Sequence, residues 1–186
     1  MAIAADESTL AGVARLEKLI HDVPDFPKPG VVFKDITPLL RDPAGLSLAV
    51  EYLTQPFRSQ RVDVVVGAES RGFIFGTAVA RNLSAGFVPI RKAGKLPRDT
   101  LKAKYALEYG SDELQIHSDA IGSADRVLIV DDLLATGGTL SACCKLVEQL
   151  SAHIVGISLL IELTFLKGRE QLGKYPLHAL LRYDSG

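Results

Sequence analysis

Two adjacent acidic residues followed by a run of small residues carry the clearest chemical signal in the sequence. Four apolar residues, 127–130, lead directly into Asp131 and Asp132, and residues 135–139 read Ala-Thr-Gly-Gly-Thr. Glycines and threonines at a helix start expose backbone N–H groups and hydroxyls, and the helix dipole favours a phosphate there. Adjacent carboxylates at a strand end can accept hydrogen bonds from ribose hydroxyls, directly or through a metal ion. The predicted binding residues for a phosphorylated ribose are Asp131, Asp132, Ala135, Thr136, Gly137, Gly138 and Thr139.

Two other classes of phosphate-binding loop do not fit this stretch. No lysine follows the glycines, as a Walker A loop requires, and the glycine spacing is not that of a dinucleotide-binding turn. An isolated Gly-Gly turn is usually no more than the start of a helix, with solvated acids before it. The apolar strand, the acid pair and the Thr-Gly-Gly-Thr run occur together here, which favours a ligand site.

The elements that must position these residues follow an alternating pattern. Residues 62–67, 87–90, 127–130 and 154–161 are mainly apolar and rich in β-branched residues, and helical stretches separate them. Near-continuous apolar strands are typical of a parallel sheet covered on both faces. The predicted fold is α/β, a doubly wound, mainly parallel sheet flanked by helices. Ligands of such sheets bind beyond the carboxyl ends of the strands.

The remaining segments predict helices, turns and one long connection. Apolar residues at helical spacing predict a helix from Ser8 to about His21, and Asp42-Pro43 is typical of the cap and first turn of another helix. Residues 31–33 predict a short extended segment. The segment 92–110 is long and polar, which indicates a lid or a disordered loop. The chain of 186 residues suits one domain, spanning residues 1–186.

Composition excludes several classes of protein. The 21 Lys and Arg residues nearly balance 22 Asp and Glu residues, so the overall charge favours neither nucleic acid nor a membrane surface as a partner. Apolar runs are too short to cross a bilayer, and the beginning of the sequence does not read as an export signal. We therefore expect a cytoplasmic protein. Scattered histidines and two adjacent cysteines argue against a structural zinc or iron site.

The stretch 127–139 resembles the phosphoribosyl pyrophosphate signature of the type I phosphoribosyltransferases. Residues 26–36, 69–73, 90–97, 107–110 and 162–163 resemble motifs of the members of that family that act on adenine, and they occur in the same order. Together these motifs cover about residues 24–183. The resemblance implies a small N-terminal hood over about residues 1–40 and a mobile lid loop over about residues 92–112. It also implies a homodimer, because part of the basic set reaches the neighbouring subunit's site in that family.

The resemblance implies an enzyme of purine salvage that forms AMP and pyrophosphate from adenine and phosphoribosyl pyrophosphate, with Mg²⁺. It implies a strained cis peptide at Glu69–Ser70 and a role for Glu108 in proton handling, while Tyr109 helps to close the lid. Adenine is expected beside Val32, Phe33 and Lys34, where the main chain of Lys34 reads the edge of the base. The cations implied to bind pyrophosphate are Arg71, Arg91, Lys92 and Lys95.

Two alternatives stay open at this point. The same fold could act on a 6-oxo purine, although a backbone amide and carbonyl near Lys34 would match adenine and oppose the reversed donor and acceptor of such a base. A regulator that only senses phosphoribosyl pyrophosphate, often while contacting nucleic acid, is the second alternative. The lack of an added helix-turn-helix segment and of a basic face opposes it.

Overall fold

The computed structural model describes residues 7–106 and 111–185. Its helices are α1 (Glu7–Glu17), α2 (Thr37–Arg41), α3 (Pro43–Thr54), α4 (Gly72–Leu83) and α5 (Gly138–Gln149). Its strands are β1 (His21–Val23), β2 (Phe33–Asp35), β3 (Val64–Ala68), β4 (Gly86–Lys92), β5 (Thr100–Ala106), β6 (Ser111–His117), β7 (Arg126–Leu134), β8 (His153–Leu163) and β9 (Leu177–Tyr183). Short 3₁₀ helices lie at Gln55–Phe57, Thr164–Leu166 and Gly168–Leu172.

A seven-stranded sheet forms the centre of the protein, in the order β5-β6-β4-β3-β7-β8-β9. The five strands from β4 to β9 in that order are parallel, and β5 and β6 join them antiparallel at one edge. Strands β1 and β2 pair separately as an antiparallel hairpin, in the region predicted as the hood. The predicted doubly wound, mainly parallel sheet is confirmed.

Apolar side chains cover both faces of this sheet. Along β3, Val65 belongs to one buried cluster with α1, α3 and α4, while its neighbour Val66 belongs to a second cluster with α5. Along β7, Leu128 faces the first cluster and Ile129 the second. Successive residues of a strand point to opposite faces, so a sheet buried on both sides needs apolar residues at every position. This is the physical reason for the unbroken apolar runs in the sequence.

The predicted helix ends are only partly correct. Helix α3 begins as predicted, with the Asp42 side chain accepting a hydrogen bond from the backbone N–H of Gly45. Helix α1 ends at Glu17 rather than at about His21. The difference arises because His21 pairs with Asp35 in the β1–β2 hairpin. Within residues 7–106 and 111–185, no helix combines the length and the apolar character needed to cross a bilayer.

Part of the segment predicted as a loop over about residues 92–112 is a strand, β5. Leu101 and Ala103 pack inward, whereas Lys102 and Lys104 are exposed on the other face. The lysines made the segment read as polar, but they occupy alternate positions, which is the pattern of a half-buried strand. Residues 100–106 are therefore a strand rather than a disordered loop, and the lid over about residues 92–112 stays a prediction.

Candidate active site

A cavity of about 430 Å³ opens beyond the carboxyl ends of β3 and β7. Its lining includes most of the residues predicted to bind ligands. The lining residues from the prediction are Val32, Phe33, Lys34, Arg71, Asp131, Asp132, Ala135, Thr136, Gly137, Gly138 and Thr139. The cavity therefore brings the acid pair, the small-residue turn and the segment expected to read the base to one place. This is the position where parallel α/β sheets bind ligands.

The two acids form the buried floor of the cavity. Asp131 and Asp132 expose only 7% and 5% of their surface. Asp131 Oδ1 accepts a hydrogen bond of 2.9 Å from the backbone N–H of Asp132. Oδ2 of Asp132 lies 3.0 Å from Arg71 Nε, but without the alignment of a hydrogen bond, and it has no other donor among the described residues. This buried oxygen therefore keeps its hydrogen-bonding capacity for a ligand.

Burial dominates the acid–base behaviour of the pair. It raises the pKa of Asp131 well above the ordinary value, and the neighbouring charge of Asp132 raises it further. It also raises the pKa of Asp132, although Arg71 opposes this shift. Two buried carboxylates side by side are stabilised by whatever brings hydrogen-bond donors or positive charge. The pair suits a hydroxyl-rich ligand or a ligand that carries a cation.

The small-residue turn leads from β7 into α5. Gly137 has φ +90° and precedes the first residue of the helix, Gly138. A side chain at Gly137 would place its Cβ 2.7 Å from the carbonyl oxygen of Gly168, so neither the backbone angle nor the space admits another residue. The turn therefore presents backbone N–H groups at the amino end of a twelve-residue helix. Such an end binds phosphate.

A guanidinium and an aromatic ring form another part of the cavity lining. The guanidinium carbon of Arg71 lies 5.3 Å from the centre of the Phe33 ring, which itself packs edge-on against Phe26 at 5.2 Å. Arg71 thus contacts both the acid pair and the aromatic wall. A Cβ at Gly72 would lie 2.9 Å from Asp131 Oδ1 and 3.2 Å from the Val130 carbonyl oxygen, so the glycine lets α4 begin close beside the acids.

Lys34 is held by its side chain as well as its backbone. It exposes 5% of its surface, its Nζ lies 2.7 Å from Asp22 Oδ1, and the same ammonium sits 4.1 Å from the centre of the Tyr183 ring. Cation–π contacts of this kind are stronger when they are desolvated. The β1–β2 hairpin is thereby fixed against β9, the last strand of the sheet.

Three of the predicted cations lie away from the cavity lining. Arg91 donates from Nε to Glu69 Oε2 at 2.9 Å, and the Lys92 backbone N–H donates to the same oxygen. Both hydrogen bonds lower the pKa of Glu69, and the one from Arg91 has the larger effect. Nζ of Lys92 lies 3.4 Å from Asp112. Lys95 is also outside the lining. Arg91 and Lys92 thus form ion pairs with acidic neighbours, and neither is among the residues that line the cavity.

The loop between β3 and α4 has the backbone that the resemblance implied. Glu69 and Ser70 line the cavity, and the peptide bond between them is cis. Glu69 also ties the ends of β3 and β4 together, because its backbone N–H donates to the Ile90 carbonyl at 2.9 Å. The predicted cis peptide is therefore confirmed.

Sequence reasoning missed several residues that the cavity uses. Tyr105 lines it and donates from its hydroxyl to Asp112 Oδ2 at 3.1 Å. The alternation along β5 would have shown that Tyr105 faces inward. The other lining residues outside the predicted set are Val31, Glu69, Ser70, Leu133, Leu134, Leu140, Leu163 and Leu166. Glu108 and Tyr109 lie outside the described residues.

Residues 36–175 match the family of the phosphoribosyl transferase domain. An adenine phosphoribosyltransferase of Rhodopirellula baltica is 58% identical over 164 residues, which cover 88% of this chain and 80% of the relative. The crystal structure of adenine phosphoribosyltransferase from Rhodothermus marinus is similar with a TM-score of 0.90 and 51% identity, over 94% of this chain and 99% of that one. The Saccharomyces cerevisiae enzyme, complexed with an imino-altritol bisphosphate and adenine, matches with a TM-score of 0.88 and 42% identity, over 92% and 99% of the two chains. The chain belongs to the adenine phosphoribosyltransferase family.

Proposed function

We propose that this protein transfers the 5-phosphoribosyl group of phosphoribosyl pyrophosphate to adenine, giving AMP and pyrophosphate for purine salvage. The observation that carries the proposal is the buried, incompletely satisfied acid pair beside the small-residue turn of residues 135–139. A ribose 5-phosphate fits both features, since its phosphate can accept from the turn while its hydroxyls donate to Asp131 and Asp132. The comparisons favour this reaction over that of a 6-oxo purine enzyme or a regulator.

The base is proposed to lie against Phe33 and to be read by the main chain of Lys34. A backbone amide and carbonyl suit adenine, which offers an amino donor beside a ring acceptor. A 6-oxo purine reverses both groups and leaves buried polar atoms unpaired, which is a strong basis for rejection. The yeast relative was crystallised with adenine, which is consistent with the choice of base.

The leaving pyrophosphate is proposed to lie near Arg71, where its growing negative charge meets a guanidinium. The roles of Arg91, Lys92 and Lys95 stay predictions. Their positions outside the lining are compatible with the implied homodimer, in which such cations serve a neighbouring subunit. Glu108 as the proton-handling group and Tyr109 as part of the lid also stay predictions of the resemblance, as does the cytoplasmic location.

Magnesium is proposed as the cofactor. Among residues 7–106 and 111–185, no three His, Cys, Asp or Glu side chains are grouped as metal ligands. The donor set that fits the ion is the pair Asp131 and Asp132, since Mg²⁺ is usually bound through one or two carboxylates together with substrate oxygens and water. When bound, the ion would neutralise charge on the pyrophosphate. The protein's own contribution is to orient the ribose and to supply the Arg71 charge.

A base-competition assay tests the proposal. The protein would be incubated with phosphoribosyl pyrophosphate, Mg²⁺ and either adenine, hypoxanthine, guanine or uracil, while pyrophosphate release and nucleotide formation are measured. We expect AMP from adenine and little turnover of the other bases. Turnover of a 6-oxo purine would overturn the base assignment, and tight binding of phosphoribosyl pyrophosphate without turnover of any base would favour a sensor.

A further inference from the structure

We propose that Arg169 and Gln171 are positioning residues for the phosphate turn, residues 135–139. They belong to residues 167–171, here called the support segment, which lies behind the turn and outside the cavity lining. The proposal rests on the function proposed above, in which the turn holds the 5-phosphate of the substrate. It assigns a task to residues that follow β8 and that no motif in the phosphate turn includes.

The support segment is in direct backbone contact with the turn. A Cβ at Gly168 would lie 2.1 Å from the Ala135 carbonyl oxygen and 2.9 Å from the Gly137 nitrogen. The reverse contact is equally close, since a Cβ at Gly137 would lie 2.7 Å from the Gly168 oxygen. The two backbones are therefore stacked with no room for a side chain between them, and a shift of the support segment must move the turn.

Gln171 adds a hydrogen bond to this contact. Its side-chain Nε2 donates to the Thr136 carbonyl oxygen at 2.9 Å, across 35 positions of sequence. Fixing that carbonyl fixes the plane of the peptide that follows it, which carries the N–H of Gly137. The direction of the Gly137 N–H, one of the phosphate donors in the proposed function, is thus set by a side chain outside the cavity.

Arg169 anchors the support segment to the sheet. Its Nε donates to Glu162 Oε1 at 2.7 Å, its Nη2 donates to Oε2 of the same carboxylate, and its Nη1 donates to the Leu177 carbonyl at 3.3 Å. Glu162 exposes 3% of its surface, so this bidentate pair is largely shielded from water on the carboxylate side. In the sheet, Glu162 on β8 lies beside Leu134, the residue that immediately precedes the turn.

These contacts connect the turn, through the support segment, back to the strands of the sheet. The chain leaves β7 at Leu134 and forms the turn, whose backbone packs against Gly168. The next residue, Arg169, donates to Glu162 on β8, and Glu162 lies beside Leu134 in the sheet. Several N–H groups must point at one phosphate, and small errors in position weaken such sites severely. These contacts hold the first half of the turn, residues 135–137, to the adjacent strands β7 and β8, and we infer that they keep its N–H groups directed at one phosphate.

The test compares the two halves of the substrate as separate ligands. Binding of ribose 5-phosphate and of pyrophosphate would be measured by calorimetry for the wild-type protein and for Arg169→Ala, Arg169→Lys and Gln171→Ala. Arg182→Ala is the matched control, because Arg182 Nε lies 3.4 Å from the same Glu162 but on β9 rather than on the support segment. Thermal unfolding of each variant would show whether the fold is kept.

We expect Arg169→Ala to raise the Kd for ribose 5-phosphate about tenfold, the equivalent of one hydrogen bond to a charged group. The Kd for pyrophosphate should change less than about twofold, as it should for both ligands in Arg182→Ala. Arg169→Lys should be intermediate, because lysine keeps the charge but not the two-pronged geometry. A general loss of stability would not produce this selectivity between ligands.

Equal weakening of both ligands in Arg169→Ala, or no weakening of ribose 5-phosphate, would overturn the positioning role. If Arg169→Ala does not fold, Gln171→Ala decides, since its exposed side chain can be removed without a buried gap. We expect it to weaken ribose 5-phosphate about threefold, and an unchanged Kd would overturn the role. Failure of the wild-type protein to bind ribose 5-phosphate would instead refute the proposed function.

Discussion

Replacing Asp132 by asparagine should separate activity from stability. The substitution removes a buried charge next to Asp131 and places an amide where Oδ2 now lies 3.0 Å from Arg71 Nε. An amide cannot give a ribose hydroxyl the strong acceptor that a carboxylate gives. Loss of one charge-assisted hydrogen bond corresponds to about 1.5–3 kcal/mol, or roughly a 10- to 150-fold fall in kcat/KM.

The same substitution should not lower stability at neutral pH. Burial raises the folded pKa of Asp132 above the ordinary value of 3.8. The folded state therefore binds this proton more tightly than the unfolded state does. Stability associated with the protonated group is lost as the pH rises from 3.8 towards the folded pKa, so at pH 7 the charge opposes folding. Asp132→Asn removes that charge, and its midpoint of thermal unfolding should equal or exceed that of the wild type.

Asp63→Asn is the matched control, because we expect it to lower stability and to leave activity unchanged. Asp63 lies just before β3, at the other end of the sheet, and accepts from the Arg126 backbone at 3.0 Å and from Arg61 Nε at 2.8 Å. These hydrogen bonds, the backbone one first, lower its folded pKa, so its charge favours folding at all pH values above 3.8. Asp63→Asn should lower the midpoint and leave kcat/KM unchanged.

Steady-state kinetics and differential scanning calorimetry on both variants complete the comparison. Unchanged turnover in Asp132→Asn would refute the assigned ribose contact. A midpoint well below that of the wild type would refute the argument that burial makes this carboxylate costly. Loss of activity in Asp63→Asn would show that turnover follows stability rather than the chemistry of the acid pair.

Three further substitutions test other parts of the structure. Gly137→Ala places a side chain at a left-handed backbone angle, which costs about 1–2 kcal/mol, and brings its Cβ to 2.7 Å from the Gly168 carbonyl oxygen. It should therefore raise KM for phosphoribosyl pyrophosphate more than KM for adenine. Lys34→Met keeps the stem but removes the ammonium above Tyr183, and should raise KM for adenine while kinetics with phosphoribosyl pyrophosphate change little; an equal effect on both substrates would contradict it. Burial lowers the folded pKa of His178 below its ordinary 6.5, so the wild-type unfolding midpoint should fall as the pH drops through and below 6.5, and His178→Gln should flatten that slope.

The sequence predicts the centre of the fold well because its signals are local. Residues 127–130 of β7 are apolar at every position, and both faces of that part of the strand are buried. Strand β5 was harder to predict, since its alternating lysines read as a polar loop unless the partner strand β6 is known. Antiparallel pairing between Leu101 and Ile116 defines which face of β5 is buried.

The site was predictable where its residues follow one strand and less so where distant segments meet. The acid pair and the phosphate turn are contiguous, and the cavity contains all of them. The support segment, by contrast, meets the turn across more than 30 positions of sequence, through contacts that no local pattern encodes. Arg91 and Lys92 were predicted to contact the ligand, but in the structure they form ion pairs with Glu69 and Asp112.

The contact between Lys34 and Tyr183 also constrains the order in which the protein assembles. These residues are 149 positions apart in sequence (183 − 34), yet the ammonium rests on the ring. Closing a chain segment of that length costs more entropy than closing a short one, and we therefore expect this contact to form late relative to local ones. The segment proposed to read the base gains this support only when β9 has joined the sheet. During folding, competence to discriminate between bases should therefore follow, rather than precede, completion of the ribose and phosphate site.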